Sequence, residues 1–192
     1  MNTEPDQSTI SFEIASREEH FEQILNLQNE NHYLSISEDQ QKDDGFVFAT
    51  HNLEVLKKMA AGAPQIIALA EGKVIGYNLS MNKSMKNDLP SLIPMFEEFN
   101  NWEYKGKPLL DYNFLVGGQV CVQKDYRGRG LIRQLYQHTR DLTSELYDLC
   151  VTEISVRNHK SLKAHQRMGF DILGTYNDGI ENWNLVIWDW EK

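Results

Sequence analysis

Residues 119–135, QVCVQKDYRGRGLIRQL, constrain this chain more than any other stretch. An alternating apolar run containing Val120, Cys121 and Val122 stops at Gln123. A polar segment follows to Tyr126, then Arg127-Gly128-Arg129-Gly130, then the apolar spacing of a helix that opens with Leu131 and Ile132. The pattern predicts a strand, a glycine-rich turn and a helix in immediate succession. The first-turn N–H groups of a helix have no intrahelical partner, and the helix dipole adds partial positive charge there, so such a turn favours an anion. Gly128 and Gly130 lack a Cβ and let phosphate oxygens reach the backbone. Arg127, Arg129 and Arg133 offer charge-assisted donors.

Two well-known phosphate turns do not fit. The nucleotide P-loop string G-x-x-x-x-G-K-[ST] is absent, and the dinucleotide fingerprint G-x-G-x-x-G fails at its third glycine, where Arg133 stands. The formal net charge is −9, from 28 acidic and 19 basic residues, which argues against general nucleic-acid binding because that needs a basic face. The same charge suits an amine substrate, and solubility alone would give the same sign. Two cysteines, Cys121 and Cys150, form no CxxC, so neither a disulfide framework nor a metal site is expected. The opening MNTEPDQSTI holds no apolar signal segment, and no apolar run reaches membrane-spanning length. The expectation is a cytoplasmic protein with no membrane partner.

Residues 10–192 are expected to fold as one domain behind a flexible N-terminus at 1–9. Residues 11–15 alternate as a strand. Ser16 and Glu19 have the form of a capping box for a helix running to about Asn31. Residues 32–45 are polar and predict a loop. Thr50 or Asn52 can cap a second helix that Gly62 and Pro64 close. Two apolar runs, 65–70 and 73–78, flank Glu71-Gly72 as a hairpin. Residues 82–111 form a long connection in which Leu92, Met95, Phe96 and Phe99 share one helical face, a core stripe or a cap over a substrate site. Residues 112–122 are a central strand with Gly117-Gly118 as a bulge or a point of close approach. Leu131, Leu135, Leu142, Leu146 and Leu149 then predict one well-buried stripe. A strand at 150–156, a helix from Asn158 to about Arg167, and strands at 171–176 and 183–190 complete the order. Strands and helices alternate in the middle and strands pair as hairpins near the ends. That predicts a mixed α/β domain, a central mixed sheet of about seven strands with helices on both faces.

A second block, EISVRNHKSLKAHQRMGF at 153–170, stands at a fixed separation from the RGRG turn. Together the two blocks resemble the GNAT superfamily of acyl-CoA-dependent N-acyltransferases. In that family the acyl-CoA turn runs [RQ]-x-x-G-x-[GA] after a strand, matched here by Arg127, Gly128, Arg129, Gly130, Leu131 and Ile132. Ile132 departs from the pattern, where a small residue is usual. The family's second block, a strand Glu followed by Asn, a small residue, Tyr and Gly-Phe, falls on Glu153, Asn158, Ser161, His165, Gly169 and Phe170. His165 stands in place of the Tyr. Both spacings agree, and the order of elements matches along essentially the whole chain.

The resemblance implies a single splayed-sheet domain and an acetyl-CoA-dependent N-acetyltransferase working by direct attack in a ternary complex, without a metal. It implies that Val120, Cys121 and Val122 offer a strand edge to the pantetheine arm, with the Val122 N–H as an oxyanion donor. It gives Asn158 and Ser161 to the pantetheine, or to the helix start. Glu153 is the implied base for the attacking amine, or an ion-paired strand residue. His165 is the implied proton donor to the leaving thiolate, or a packing residue. A non-catalytic acyl-CoA-binding module is the alternative from another class, and a nucleotide-binding regulator using the RGRG turn a third. The acceptor amine is not named by the sequence. Segments 32–50 and 82–111 and the last two strands are expected to form its site, with Asp39, Asp43, Asp44, Glu97 and Glu98 as candidate carboxylates. A homodimer stays open.

Overall fold

The computed structural model describes residues 9–191. The flexible segment expected at 1–9 lies outside them except for Thr9. In chain order the elements are β1 (Ser11–Ile14), α1 (Glu18–Asn31), α2 (Glu38–Asp44), α3 (Leu53–Gly62), β2 (Ile66–Ala70) and β3 (Lys73–Met81). A connection of short 3₁₀ turns follows, carrying α4 (Ile93–Glu98) and a small ribbon, β4 (Glu103–Tyr104) with β5 (Lys107–Pro108). Then come β6 (Phe114–Val122), α5 (Leu131–Thr143), β7 (Leu149–Ser155), α6 (His159–Met168), β8 (Asp171–Asn177) and β9 (Asn182–Asp189).

Seven strands form one sheet in the order β1-β2-β3-β6-β7-β9-β8, with β6 and β7 its parallel pair and the other neighbours antiparallel. Alternation assigns the two faces. Phe114 and Val116 of β6, with Val151 of β7, pack under α1, α3 and the 82–111 connection. Leu115, Cys150 and Ile154 pack on the opposite face with Tyr136 of α5. Helices therefore cover both faces of a mixed sheet.

The parallel pairing is short. Phe114, Leu115 and Val116 pair with Leu149, Cys150 and Val151, and there the ladder ends although β6 continues to Val122. On its other edge β6 stays paired with β3 up to Val122. The register between them slips at Gly118, because Ser80 faces Gly117 while Leu79 faces Gln119. A bulge of this kind bends the strand and increases its twist, and it sits where β6 and β7 part. The Thr152 hydroxyl donates to the Gly117 carbonyl at 2.7 Å just past the last ladder pair. A Cβ on Gly117 would lie 3.1 Å from the Thr152 Cβ, so glycine lets the strands stay close at the root of the split.

Three local expectations are corrected. Helix α1 starts one residue later than a Ser16 cap would put it. Arg17 is its N-cap, no side chain caps it, and His20 receives the Ser16 N–H instead (3.4 Å). The polar stretch 32–45 contains α2, whose N-cap Ser37 makes a full capping box with Gln40. No residue of α2 is buried, so an apolar periodicity could not announce it. The leucine stripe after Gly130 breaks, since Leu142 and Leu146 are 52% and 69% exposed. The buried face of α5 runs through Leu131, Leu135, Tyr136, Thr139 and Thr143. Thr139 accepts from the buried Asn78 side chain (2.8 Å), and its own hydroxyl bonds the Leu135 carbonyl, which satisfies its burial. The Leu92, Met95, Phe96 and Phe99 stripe is buried in the main core. Trp188 and Trp190 are also buried, against Tyr136 and Phe170.

Candidate active site

The split between β6 and β7 opens into two cavities. The first, about 750 Å³, runs along the free side of β6 to the RGRG turn and the start of α5. The second, about 260 Å³, lies over the root of the split. Phe46, Val47, Val120, Asn158 and Ser161 line both, so the chambers meet.

The turn is built by backbone conformation. Gly128 and Gly130 have φ of 76° and 74°, the left-handed region that suits glycine. A Cβ at either would meet nothing within 4 Å, so shape of the chain, not lack of room, selects glycine here. Gly130 is the N-cap of α5, with no side chain over the first N–H groups of the helix. Arg127, Gly128, Gly130, Leu131, Ile132, Arg133, Lys160 and Arg167 face the first cavity. Arg129 does not. It bonds the Asp125 carbonyl (3.2 Å) and covers the Tyr126 ring. Ile132 packs partly into the α5 side of the core. Arg127 also works as a clip. Its guanidinium bonds the Val122 carbonyl (3.0 Å), Asn31 (2.5 Å) and Asp44 (3.3 Å), tying the end of β6 to α1 and α2.

A strap, residues 45–48, crosses the mouth. Val47 is held against Asn31 and Tyr33 of the α1 end by backbone bonds of 3.0 Å each. Asn158 holds the strap from the other side, its amide donating to the Phe46 carbonyl (2.8 Å). The same side chain caps α6 by accepting the Ser161 N–H (3.2 Å). It therefore fixes the helix start and closes one wall of the channel.

Glu153 and His165 both line the second cavity, approaching from opposite faces of the sheet. Glu153 shares the face of Val151, under the α1 side, and is half-buried. Burial pushes its pKa up to about 7, a hydrogen bond from the Tyr176 hydroxyl works against that, and the neighbouring Asp178 charge adds to the rise. His165 lies on the α5 and α6 side and is 2% exposed. Burial lowers its pKa to about 4, partly offset by its bond to Ser161. Its Nδ1 is 2.8 Å from the Ser161 carbonyl, which can only accept, so Nδ1 carries the proton. Nε2 then accepts from the Tyr136 hydroxyl at 3.0 Å. His165 is a neutral imidazole with both nitrogens engaged, not a poised acid.

Tyr136, Tyr176 and Asp178 escaped the sequence reading. Tyr136 could have been found as the aromatic residue one position beyond Leu135 on the buried face. Tyr176 and Asp178 meet Glu153 only through the pairing of β7, β9 and β8, which no local pattern reveals. Cys121 and Cys150 are buried free thiols, and burial pushes each up to about 12. Neither is a competent nucleophile at neutral pH. Among the described residues no group of three or more His, Cys, Asp or Glu side chains is placed to hold a metal, and no helix is long and apolar enough to cross a membrane.

This architecture, a mixed seven-strand sheet split beside a glycine turn that opens a helix, is the fold of GNAT acetyltransferases. The chain belongs to the acetyltransferase (GNAT) family, whose model matches residues 21–170. A search of curated proteins finds no match to the sequence. Among solved structures, the fold is similar to that of a chain of the NatC complex bound to Gag peptide and CoA (16% identity, TM-score 0.63, covering 94% of this chain and 98% of that one). It is similar to the ribosomal-protein-S18-alanine N-acetyltransferase from Escherichia coli (12%, 0.61, 94% and 94%). It is also similar to yncA from Salmonella typhimurium with its cofactor acetyl-CoA (14%, 0.60, 94% and 93%). At these identities the likeness is one of fold.

Proposed function

We propose that this chain is an N-acetyltransferase that moves an acetyl group from acetyl-CoA to a primary amine by direct attack. The observation that carries the proposal is the junction of two unlike chambers at the β6–β7 split. One is lined by Arg127, Arg133, Lys160 and Arg167 beside an uncapped helix start, and the other holds a carboxyl with a pKa near 7. The basic chamber suits a pyrophosphate and the unpaired side of β6 suits an amide-bearing pantetheine arm. Acetyl-CoA supplies an activated thioester.

In this reading the β6 edge from Val120 to Val122 holds the arm, and the Val122 N–H stabilises the developing oxyanion. Asn158 and Ser161 form the wall between the chambers. Glu153 accepts a proton from the amine, directly or through one water. A base with a pKa near the working pH combines a useful ionised fraction with real basicity. His165 is not the donor to the leaving thiolate. It holds Tyr136, whose hydroxyl proton can rotate from His165 Nε2 toward the sulfur and hydrogen-bond the thiolate as it forms. The high pKa that burial gives Tyr136 suits a hydrogen-bond donor better than a full acid. The inert thiols favour direct transfer over a cysteinyl intermediate.

Release of free CoA thiol from acetyl-CoA, followed with a panel of primary amines, tests the proposal. Amine-dependent release that collapses in Glu153→Gln is expected. Acetyl-CoA binding with no release for any amine would favour the binding-module alternative.

A further inference from the structure

The two chambers differ sharply in charge. Four cations and two acids, Asp43 and Asp44, line the first, with Asp44 paired to Arg127. Among the described residues lining the second there is no lysine or arginine, and its charged groups are Glu153 and Asp178. Asp178 is fixed in the turn between β8 and β9. It accepts the Trp183 indole N–H (2.9 Å) and the backbone N–H groups of Ile180 (2.8 Å) and Glu181 (2.7 Å). Burial pushes its pKa up, but these donors outweigh that and hold it below the usual carboxylate value, so it is ionised at neutral pH. Arg157, which follows β7, is paired with Glu181 (2.5 Å) and lies over the ring of Phe46, and it is not among the lining residues. His165 is neutral. None of the expected acids Asp39, Asp43, Asp44, Glu97 and Glu98 lines this chamber, and Asp43 and Asp44 face the first one instead.

Much of the rest of the wall is apolar, interrupted by the uncharged polar groups of Gln119, Thr152, Ser155, Asn158 and Ser161. Phe48 packs edge-on against Trp183 (centroids 5.0 Å apart) and is stacked on its far side by Tyr33 (4.5 Å). Leu92, Pro94, Ile154 and Ile180 complete it, and Ile180 is 83% exposed at the opening. Carboxylates and aromatic rings attract an ammonium group. An α-carboxylate brought into the same small space would meet Asp178 and Glu153 with no unpaired cation among the described lining residues, and would lose its hydration.

We infer that the acceptor is a primary amine borne on an apolar or aromatic group and without a carboxylate near the nitrogen, an inference that rests on the transferase reading above. Free α-amino acids are thereby excluded as good acceptors. Apolar amines and chain ends whose α-carboxyl is an amide are admitted.

The test uses three matched ligands and one polar control. The full chain, saturated with CoA, is titrated calorimetrically with isoamylamine, leucinamide, leucine and ethanolamine, and the same preparation is titrated with acetyl-CoA. Isoamylamine or leucinamide is expected to bind at least about tenfold more tightly than leucine, a modest demand for like charges a few ångströms apart. Ethanolamine is expected to bind more weakly than isoamylamine. Ile180→Arg places a cation at the opening and is expected to improve leucine relative to isoamylamine. A lead for leucinamide assigns a peptide end and a lead for isoamylamine a free amine, and either supports the inference. Leucine binding as tightly as isoamylamine, ethanolamine outranking it, or no amine binding to protein that does bind acetyl-CoA would overturn the inference and leave the transferase reading standing. Folded protein that fails to bind acetyl-CoA would overturn both.

Discussion

If Glu153 is the base, its environment sets the pH dependence of the reaction. An ordinary glutamate near 4.5 would be almost fully ionised at pH 6, whereas a group near 7 is about half ionised at pH 7 and about one-tenth ionised at pH 6. The log of kcat/KM should therefore fall with unit slope below about pH 7, a tenfold loss per pH unit that an unperturbed carboxylate would not give. The amine's own ionisation, near ~10 for an alkylamine, adds a second limb at higher pH. Tyr176→Phe separates the two. The Tyr176 hydroxyl stabilises the charged carboxylate, so its removal leaves the burial effect unopposed and the lower limb moves to higher pH. The upper limb stays in place. Glu153→Gln should lower kcat/KM by about 10²–10⁴ and erase the lower limb. The assay is continuous thiol release from about pH 5.5 to about pH 10.5 with one saturating acetyl-CoA concentration. A lower limb that survives in Glu153→Gln, or that shifts to lower pH in Tyr176→Phe, would refute the assignment.

Acid should weaken the fold through its buried histidines. His165 and His51 both have pKa values lowered to about 4 by burial, so the unfolded chain binds their protons first as pH drops through 6.5. The stability they contribute is present above 6.5 and lost toward pH 4, about 3 kcal/mol for His165 alone. Glu153, raised by burial, works in the opposite sense between 4.5 and 7. Urea midpoints at pH 7.5 and 5 should drop in the parent and drop less in His165→Gln, and equal drops would contradict this. Arg133→Ala should weaken acetyl-CoA binding several-fold with strong salt dependence, while Arg129→Ala should leave the affinity unchanged because that side chain turns to Asp125 and Tyr126. The reverse order by calorimetry would misplace the phosphate site. Gly174→Ala would set a Cβ 1.9 Å from the Trp102 ring and should cost about 1–3 kcal/mol in urea unfolding. A companion Trp102→Leu should recover part of it, and no loss in the single variant would show that the ring moves freely.

The scaffold and the glycine turn were legible in the sequence for physical reasons. Alternating and helical apolar patterns mark elements that bury one face, as the inner strands of the main sheet do, while the edge strands β1 and β8 have no fully buried residue. The RGRG turn is legible because only glycine sits easily at φ near 75° twice within three residues. Asn158 is legible as a cap from its place before an amphipathic helix, and it caps. What escaped depends on long-range contacts. Helix α2 buries no residue and left no periodicity. The exposed Leu142 and Leu146 satisfied a leucine pattern that the chain abandons at Thr143. Arg129 matched the anion turn by position, but its side chain points along the 3₁₀ turn before it. The chemistry of Glu153 was visible only as a residue type. Its partner Tyr176 is 23 residues away and reaches it across β9. The partner of His165 was hidden for a similar reason, because the hydroxyl that occupies its Nε2 comes from a different helix.

The central claim is that acetyl-CoA binds along the split with its pyrophosphate on the turn that opens α5. The most direct measurement is calorimetric titration of the purified chain with acetyl-CoA, repeated with Gly130→Asp. The variant sets a negative charge on the helix start, at a backbone conformation that aspartate tolerates better than most residues. Its Cβ would meet nothing within 4 Å, so the fold should survive, which an unchanged far-ultraviolet spectrum would verify. The account predicts saturable one-to-one binding to the parent and a loss of at least about tenfold in the folded variant. Equal affinity in the two proteins, or no binding to the parent, would contradict it.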